Sequence, residues 1–376
     1  MRQLNKQFNA VDLFCGAGGV SEALKSHFNI LAAVEFDPII AKTYEMNHGK
    51  DHLIVDDIRN ISEEEWLKKA SLKPRELDLL VATPPCQGFS RHSRIKAKDN
   101  KDERNLLILE VLKVVRLYHP KFIFFENVDN ITNFEVFNCF ISQLKNLDEH
   151  GYQINKEYPS YIVDYKVINA ADFGVPQRRK RLILLAQRVD IFPVKHCDIS
   201  VWPDTTEQMT LGQLLNKYPL KKLKAGETDP DDPLHTVRKL SEINLKRIAN
   251  TPHDGGSRRD WPSELLLECH KRGNVGFGDV YGRMDRSSVA PTITTGCTSY
   301  SKGRFGHPTE NRAISLREAA LIQTFPVNYK FTGQLSDEPF KGSKEKIATQ
   351  IGNAVPVKLA AVFIKKIAEK LKEELS

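Results

Sequence analysis

The sequence predicts an α/β protein with a doubly wound, mostly parallel sheet and a second, smaller, loop-rich domain. Three observations predict it. Five short apolar runs fill the first 190 residues: NAVDLF (9–14), NILAAVEF (29–36), HLIVDDI (52–58), LDLLVAT (77–83) and KFIFFEN (121–127). Runs of this length, rich in Val, Ile, Leu and Phe, suit strands buried on both faces. Between them Val20, Ala23, Leu24 and Phe28 fall at helical spacing, as do Leu106, Leu109, Leu112, Val114 and Val115. Strands alternating with helices imply βαβ units. Third, the rhythm changes after about residue 190, where Pro, Asp, Gly, Ser and Thr replace periodic apolar runs. The end of the chain turns helical again, with Leu359, Val362, Phe363, Ile367 and Leu371 on one face. Such a face needs a sheet to cover. The expected organisation is therefore 1–192 as the main domain, 193–335 as the second, and 336–376 returning to the first.

Composition narrows the function. With 376 residues, 40% hydrophobic and 27% charged, the chain can bury a full core. Residues 1–14 lack a signal-peptide pattern, and no stretch approaches the roughly 18 apolar residues of a membrane span, so a cytoplasmic protein is expected. Six dispersed cysteines without C-x-x-C or zinc-finger spacing imply neither a disulfide framework nor a structural metal. The net charge of +7 favours a polyanionic partner. Residues 177–188 carry five positive and no negative side chains, and residues 236–259 carry six against two. One such cluster reads as a solvated face, whereas two in a basic chain bring nucleic acid forward.

Ligands of open parallel sheets bind beyond the carboxyl ends of the strands, so the strand exits are where chemistry is sought. The first exit, DLFCGAGGVSEAL, places Gly16, Gly18 and Gly19 between strand and helix, but Ser21 breaks a dinucleotide G-x-G-x-x-G. Alone, this reads equally as a tight turn or a cofactor loop. Glu35, at the next exit, tips the balance toward a nucleoside-containing cofactor, because an acid there can grip ribose hydroxyls. Asp57 and Ile58 could hold its base by a hydrogen bond and an apolar contact.

The fourth exit is PPCQGFS. A free cysteine is more often an inert small hydrophobe, but Cys86 sits in a Pro-Pro-Cys-Gln-Gly turn ahead of the basic stretch RHSRIKAKDNKDER. Neighbouring positive charge favours the thiolate, so Cys86 is placed like a nucleophile. At the fifth exit, FIFFENV, Glu126 follows four apolar residues, where desolvation would let it hold a proton near neutral pH. Thiolate, acid and nucleoside cofactor together suit one reaction. A thiolate adds to carbon 6 of cytosine, an acid acts at ring nitrogen 3, and carbon 5 then attacks an electrophilic methyl group.

These motifs resemble the DNA (cytosine-5) methyltransferases, which use S-adenosylmethionine. Seven occur in the family's order: DLFCGAGG, EFD, PPCQGFS, FENV, QRRKR, AISLREAALIQTFP and QIGNAVPV. The resemblance implies the sheet of the S-adenosylmethionine-dependent methyltransferases, with 193–335 as a target-recognition domain. It implies Cys86 as nucleophile, Glu126 acting at nitrogen 3, and Arg179 and Arg181 as the family's two arginines, the second contacting the cytosine carbonyl. Pro85 would confine the base and Ser90 would lie near the DNA backbone. The cofactor would meet Phe14, Gly16, Gly18, Glu35, Phe36, Asp57, Ile58, Leu107 and Asn353. The base would be flipped out of duplex DNA. The lack of a long N-terminal extension resembles the compact bacterial or phage enzymes of restriction–modification systems, which implies a cognate endonuclease; a monomer is expected.

Three other readings compete. An RNA cytosine-5 methyltransferase shares the Pro-Pro-Cys loop, but a recognition region above a hundred residues favours DNA. A non-catalytic DNA-binding regulator is disfavoured by retention of Cys86 and Glu126. A Cys/His hydrolase using Cys86 and His92 lacks an orienting third group.

Overall fold

The computed structural model describes residues 8–85, 106–148, 152–191, 199, 201–271 and 278–375. All five apolar runs become strands: β1 (Phe8–Leu13), β2 (Phe28–Glu35), β3 (Leu53–Val55), β4 (Leu79–Ala82) and β5 (Phe122–Asn127). With β6 (Tyr161–Asn169) and β7 (Lys180–Arg188) they form one seven-stranded sheet in the order β3-β2-β1-β4-β5-β7-β6. Strands β1 to β5 pair in parallel, and β7 runs antiparallel to both β5 and β6. Leu79 to Ala82 and Phe122 to Phe125 are each 0% exposed, as expected for central strands covered on both faces.

The helices of this region are α1 (Gly19–Leu24), α2 (Pro38–His48), α3 (Glu63–Ala70), α4 (Leu107–Tyr118) and α5 (Glu135–Lys145). Local chemistry fixes their ends. Asp37 accepts from the amides of Ile39 and Ile40 and so starts α2, with Pro38 in its first turn. Ser62 and Glu65 form a capping box on α3. Helix α4 buries Ile108, Val111, Leu112, Val115 and Tyr118 in the main core.

The basic run 177–188 is not simply a solvated face. All but its first three residues form β7, where Leu182 to Ala186 are 0% exposed and Arg188 is 3% exposed. The apolar LILLA stretch places the segment inside the sheet, and the charges flank it.

The chain divides into two compact units, one of 1–169, 180–204 and 359–376, the other of 170–179 and 205–358. These divisions fall at other positions than 193 and 335, and the second unit also takes in 170–179. There Gln177 bridges to Ala290, and the Arg178 amide donates to the Ala290 carbonyl. The remaining helices are α6 (Leu211–Lys217), α7 (Glu242–Ala249), α8 (Glu268–Lys271), α9 (Leu316–Ile322), α10 (Lys344–Asn353) and α11 (Val357–Leu375). With little regular structure, the second unit is held by buried arginines. Arg283, 0% exposed, donates to the carbonyls of Thr251, His307, Glu310 and Ile248.

Within the first unit, α11 buries Leu359, Phe363, Ile367 and Leu371, each 0% exposed, and the Phe363 ring lies 5.8 Å from that of Phe124. The sheet thus covers the predicted apolar face. Among the described residues one segment, Lys344–Glu374, is long and apolar enough to cross a membrane, but it is mostly buried inside the protein.

Candidate active site

Two neighbouring strands, β1 and β2, bring Phe14, Gly16, Gly18, Glu35 and Phe36 to one end of the sheet, beside the end of β4. The β1 exit turns sharply: Phe14 has φ 61°, Gly16 φ 56° and Gly18 φ 88°. Two of these left-handed positions are glycine, where no Cβ penalty arises. The Cys15 amide donates to the Val34 carbonyl and the Gly18 amide to the Cys15 carbonyl, which pins the loop beside β2. Among the described residues, a Cβ on Gly16 would meet only the Phe14 carbonyl, at 4.0 Å, so they leave the space before this loop open.

Glu35 closes β2 with its carboxylate already oriented. One oxygen accepts from the Gly16 amide at 3.1 Å and the other from the Asp37 amide at 2.7 Å. Burial pushes this acid up to about 7, against those two hydrogen bonds. Next to it the Phe36 ring is 70% exposed, a large aromatic surface left uncovered by the protein. An oriented acid, an open glycine loop and a bare aromatic ring fit a nucleoside-bearing cofactor. Asp57 accepts a forked pair of hydrogen bonds from Arg59, which holds the carboxyl below its ordinary range, so one expected base contact is already engaged. Ile58 is 6% exposed and belongs to the core. Phe14 and Leu107 are partly buried against that same core.

Cys86 and Ser90 lie outside the described residues, but the strand end that precedes Cys86 is defined. Thr83 donates from its hydroxyl to the Phe14 carbonyl at 3.1 Å, and the Asn127 side chain donates to the Pro84 carbonyl at 3.1 Å. Pro85 is half-buried. The end of β4 is thereby tied to the β1 exit on one side and to β5 on the other. The FENV motif carries this contact too, since Asn127 directly follows the acid.

Glu126 is 7% exposed, and Arg181 reaches it across the β5–β7 pair with Nε 2.9 Å from Oε1. The acid that the sequence places after four apolar residues is therefore ion-paired with Arg181. Arg179, two residues earlier, belongs to the second unit and does something else. It is 2% exposed, and its guanidinium donates to the carbonyls of Ile293 at 2.9 Å, Gly352 at 3.0 Å and Ala354 at 3.2 Å. These bonds bracket Asn353, whose residue is exposed at the end of α10. Gln177 and Gln323, which the sequence did not single out, reinforce that hub: the Gln177 amide donates to Gln323, which donates to the Ile351 carbonyl.

A mostly parallel sheet with an acid-gripped glycine loop at one strand exit and an acid–arginine pair at another defines an α/β methyltransferase. The family profile of C-5 cytosine-specific DNA methylases matches residues 8–369, so the chain belongs to that family. The Type II methylase M.HgiDII of Herpetosiphon aurantiacus is 38% identical over 368 residues, covering 95% of this chain and 94% of that protein. The Type II methyltransferase M1.HphI of Haemophilus parahaemolyticus is 30% identical over 360 residues, covering 93% and 84%. Among solved structures, a DNA modification methyltransferase encoded within an E. coli prophage shares the fold with a TM-score of 0.70 at 21% identity, covering 97% of this chain and all of that one. The protein is a DNA (cytosine-5) methyltransferase that transfers a methyl group to cytosine.

Proposed function

We propose that the protein methylates cytosine within a short duplex DNA sequence through a covalent adduct between Cys86 and carbon 6 of a flipped-out base. The single observation that supports this most is the Arg181–Glu126 pair near the end of β5, whose last residue, Asn127, holds the Pro84 carbonyl two positions before Cys86. Cys86 adds as thiolate to carbon 6 while Glu126 hydrogen-bonds at nitrogen 3, and the electron pair gathers at carbon 5. Arg181 holds the Glu126 carboxyl and contacts the carbonyl oxygen. Arg179 is a positioning residue for 352–354. S-adenosylmethionine, when bound, supplies the electrophilic methyl group. Loss of the carbon-5 proton and departure of the thiolate then restore the aromatic ring.

In this reading Glu35 grips the ribose hydroxyls and Phe36 covers the base, with Phe14, Gly16, Gly18, Asp57, Ile58, Leu107 and Asn353 completing the cofactor site. Pro85 confines the cytosine and Ser90 meets the backbone. The second unit recognises the target. The protein works as a cytoplasmic monomer beside a restriction endonuclease of the same specificity, a setting supported by its likeness to Type II methylases.

A duplex carrying 5-fluorocytosine tests the covalent step, because fluorine cannot leave as a proton does. With S-adenosylmethionine, the wild-type protein should form a complex with that duplex that survives denaturing electrophoresis, and Cys86→Ala should form none. A complex of equal yield in Cys86→Ala would overturn the assignment.

A further inference from the structure

The second unit contains a cavity of about 320 Å³ lined by Thr236, Arg238, Thr298, Ser343, Lys344 and Glu345, among others. Four segments remote in sequence build it, around 236–238, 298, 316 and 342–345. Lys344 is fixed there: its ammonium donates to the Thr236 hydroxyl at 2.6 Å, and Thr236 is 4% exposed and shares a 2.6 Å hydrogen bond with Thr228. An ammonium carries three donors, so this anchor leaves capacity facing the cavity. Its charged lining is Arg238 and Lys344 against one acid, Glu345.

That acid is informative. Glu345 has a side chain 69% exposed, lies 3.4 Å from the Arg238 guanidinium, and accepts from the Ser343 hydroxyl at 3.4 Å. Both contacts are long for charge-assisted hydrogen bonds, which favour about 2.7–2.9 Å. A weakly held carboxylate thus rests on donors that a phosphate oxygen would use. We infer that this cavity is a seat for a DNA backbone phosphate, bound by Arg238, Lys344 and the Thr298 hydroxyl, with Glu345 displaced as the duplex docks. The inference rests on duplex DNA being the substrate, and it places a sequence-independent contact that positions the duplex without reading bases.

Fluorescence anisotropy with labelled duplexes of several unrelated sequences, between about 50 and 200 mM salt, tests it. Lys344→Ala and Arg238→Ala should each weaken binding several-fold and equally for all sequences. Each lost phosphate contact should lower the slope of log affinity against log salt by about 0.9. Glu345→Gln, at an exposed position where folding is not at stake, should tighten binding. Unaltered slopes in the two cation variants, or unaltered affinity in Glu345→Gln, would overturn the site while leaving the enzyme assignment intact. A wild-type protein that binds none of the duplexes would instead defeat the DNA reading on which the inference rests.

Discussion

Asn127 works through its neighbours. Its amide side chain donates to the Pro84 carbonyl and its oxygen accepts from the Val128 amide, so one buried residue joins the acid-bearing strand to the segment that leads into Cys86. Asn127→Ala should lower kcat by about ten-fold or more, since misplacing a reacting group by an ångström costs that much, while the cofactor Kd stays constant. A change confined to the cofactor Kd would contradict this role. Glu318 shows the same economy in a structural setting. Burial disfavours its carboxylate, yet the Arg312 charge and hydrogen bonds outweigh that and bring it down from 4.5 to about 2. Because the folded value is depressed, the stabilisation is complete above about pH 4.5 and is lost as pH falls toward 2. The full shift corresponds to about 3 kcal/mol. Urea unfolding between about pH 5 and pH 3 should show this loss in the wild type and a flatter dependence in Glu318→Gln; parallel curves would refute it.

At the scale of elements, legibility followed burial. Strands β1 to β5 could be read because both of their faces are covered, which demands unbroken apolar runs such as Leu79–Ala82. Strand β7 was obscured by its flanking charges: Arg181 turns to Glu126 and Arg188 donates to the His119 carbonyl and to Asp190, partners distant or irregular in sequence. Strand β6 lies at the sheet edge, where Tyr165 and Val167 are exposed and the apolar signal is diluted. The acid, the glycine loop and Glu35 were legible as strand exits. The Arg179 hub was not, since its bonds to Ile293, Gly352 and Ala354 span more than a hundred residues. Helix α11 was legible from its stripe, and it supplies a test: Phe363, 0% exposed, packs on Phe124 and on Trp202, whose ring lies 5.6 Å away. Phe363→Ala should cost about 3–5 kcal/mol in denaturant unfolding. A cost below about 1 kcal/mol would show that the helix does not seal the sheet.

The whole molecule combines a mostly parallel sheet, a second unit tied together by buried arginines, and a net charge of +7. That charge supports association with a polyanion and says nothing about which bases are read. In the proposed reading, the exits of the sheet carry the chemistry and the second unit recognises the target. The most direct measurement is methyl transfer from labelled S-adenosylmethionine to unmethylated duplex DNA and, in parallel, to tRNA, followed by base-resolution mapping of 5-methylcytosine. The account predicts 5-methylcytosine at one short duplex sequence, with none from Cys86→Ala. Label confined to tRNA, or undiminished methylation by the Cys86 variant, would contradict it.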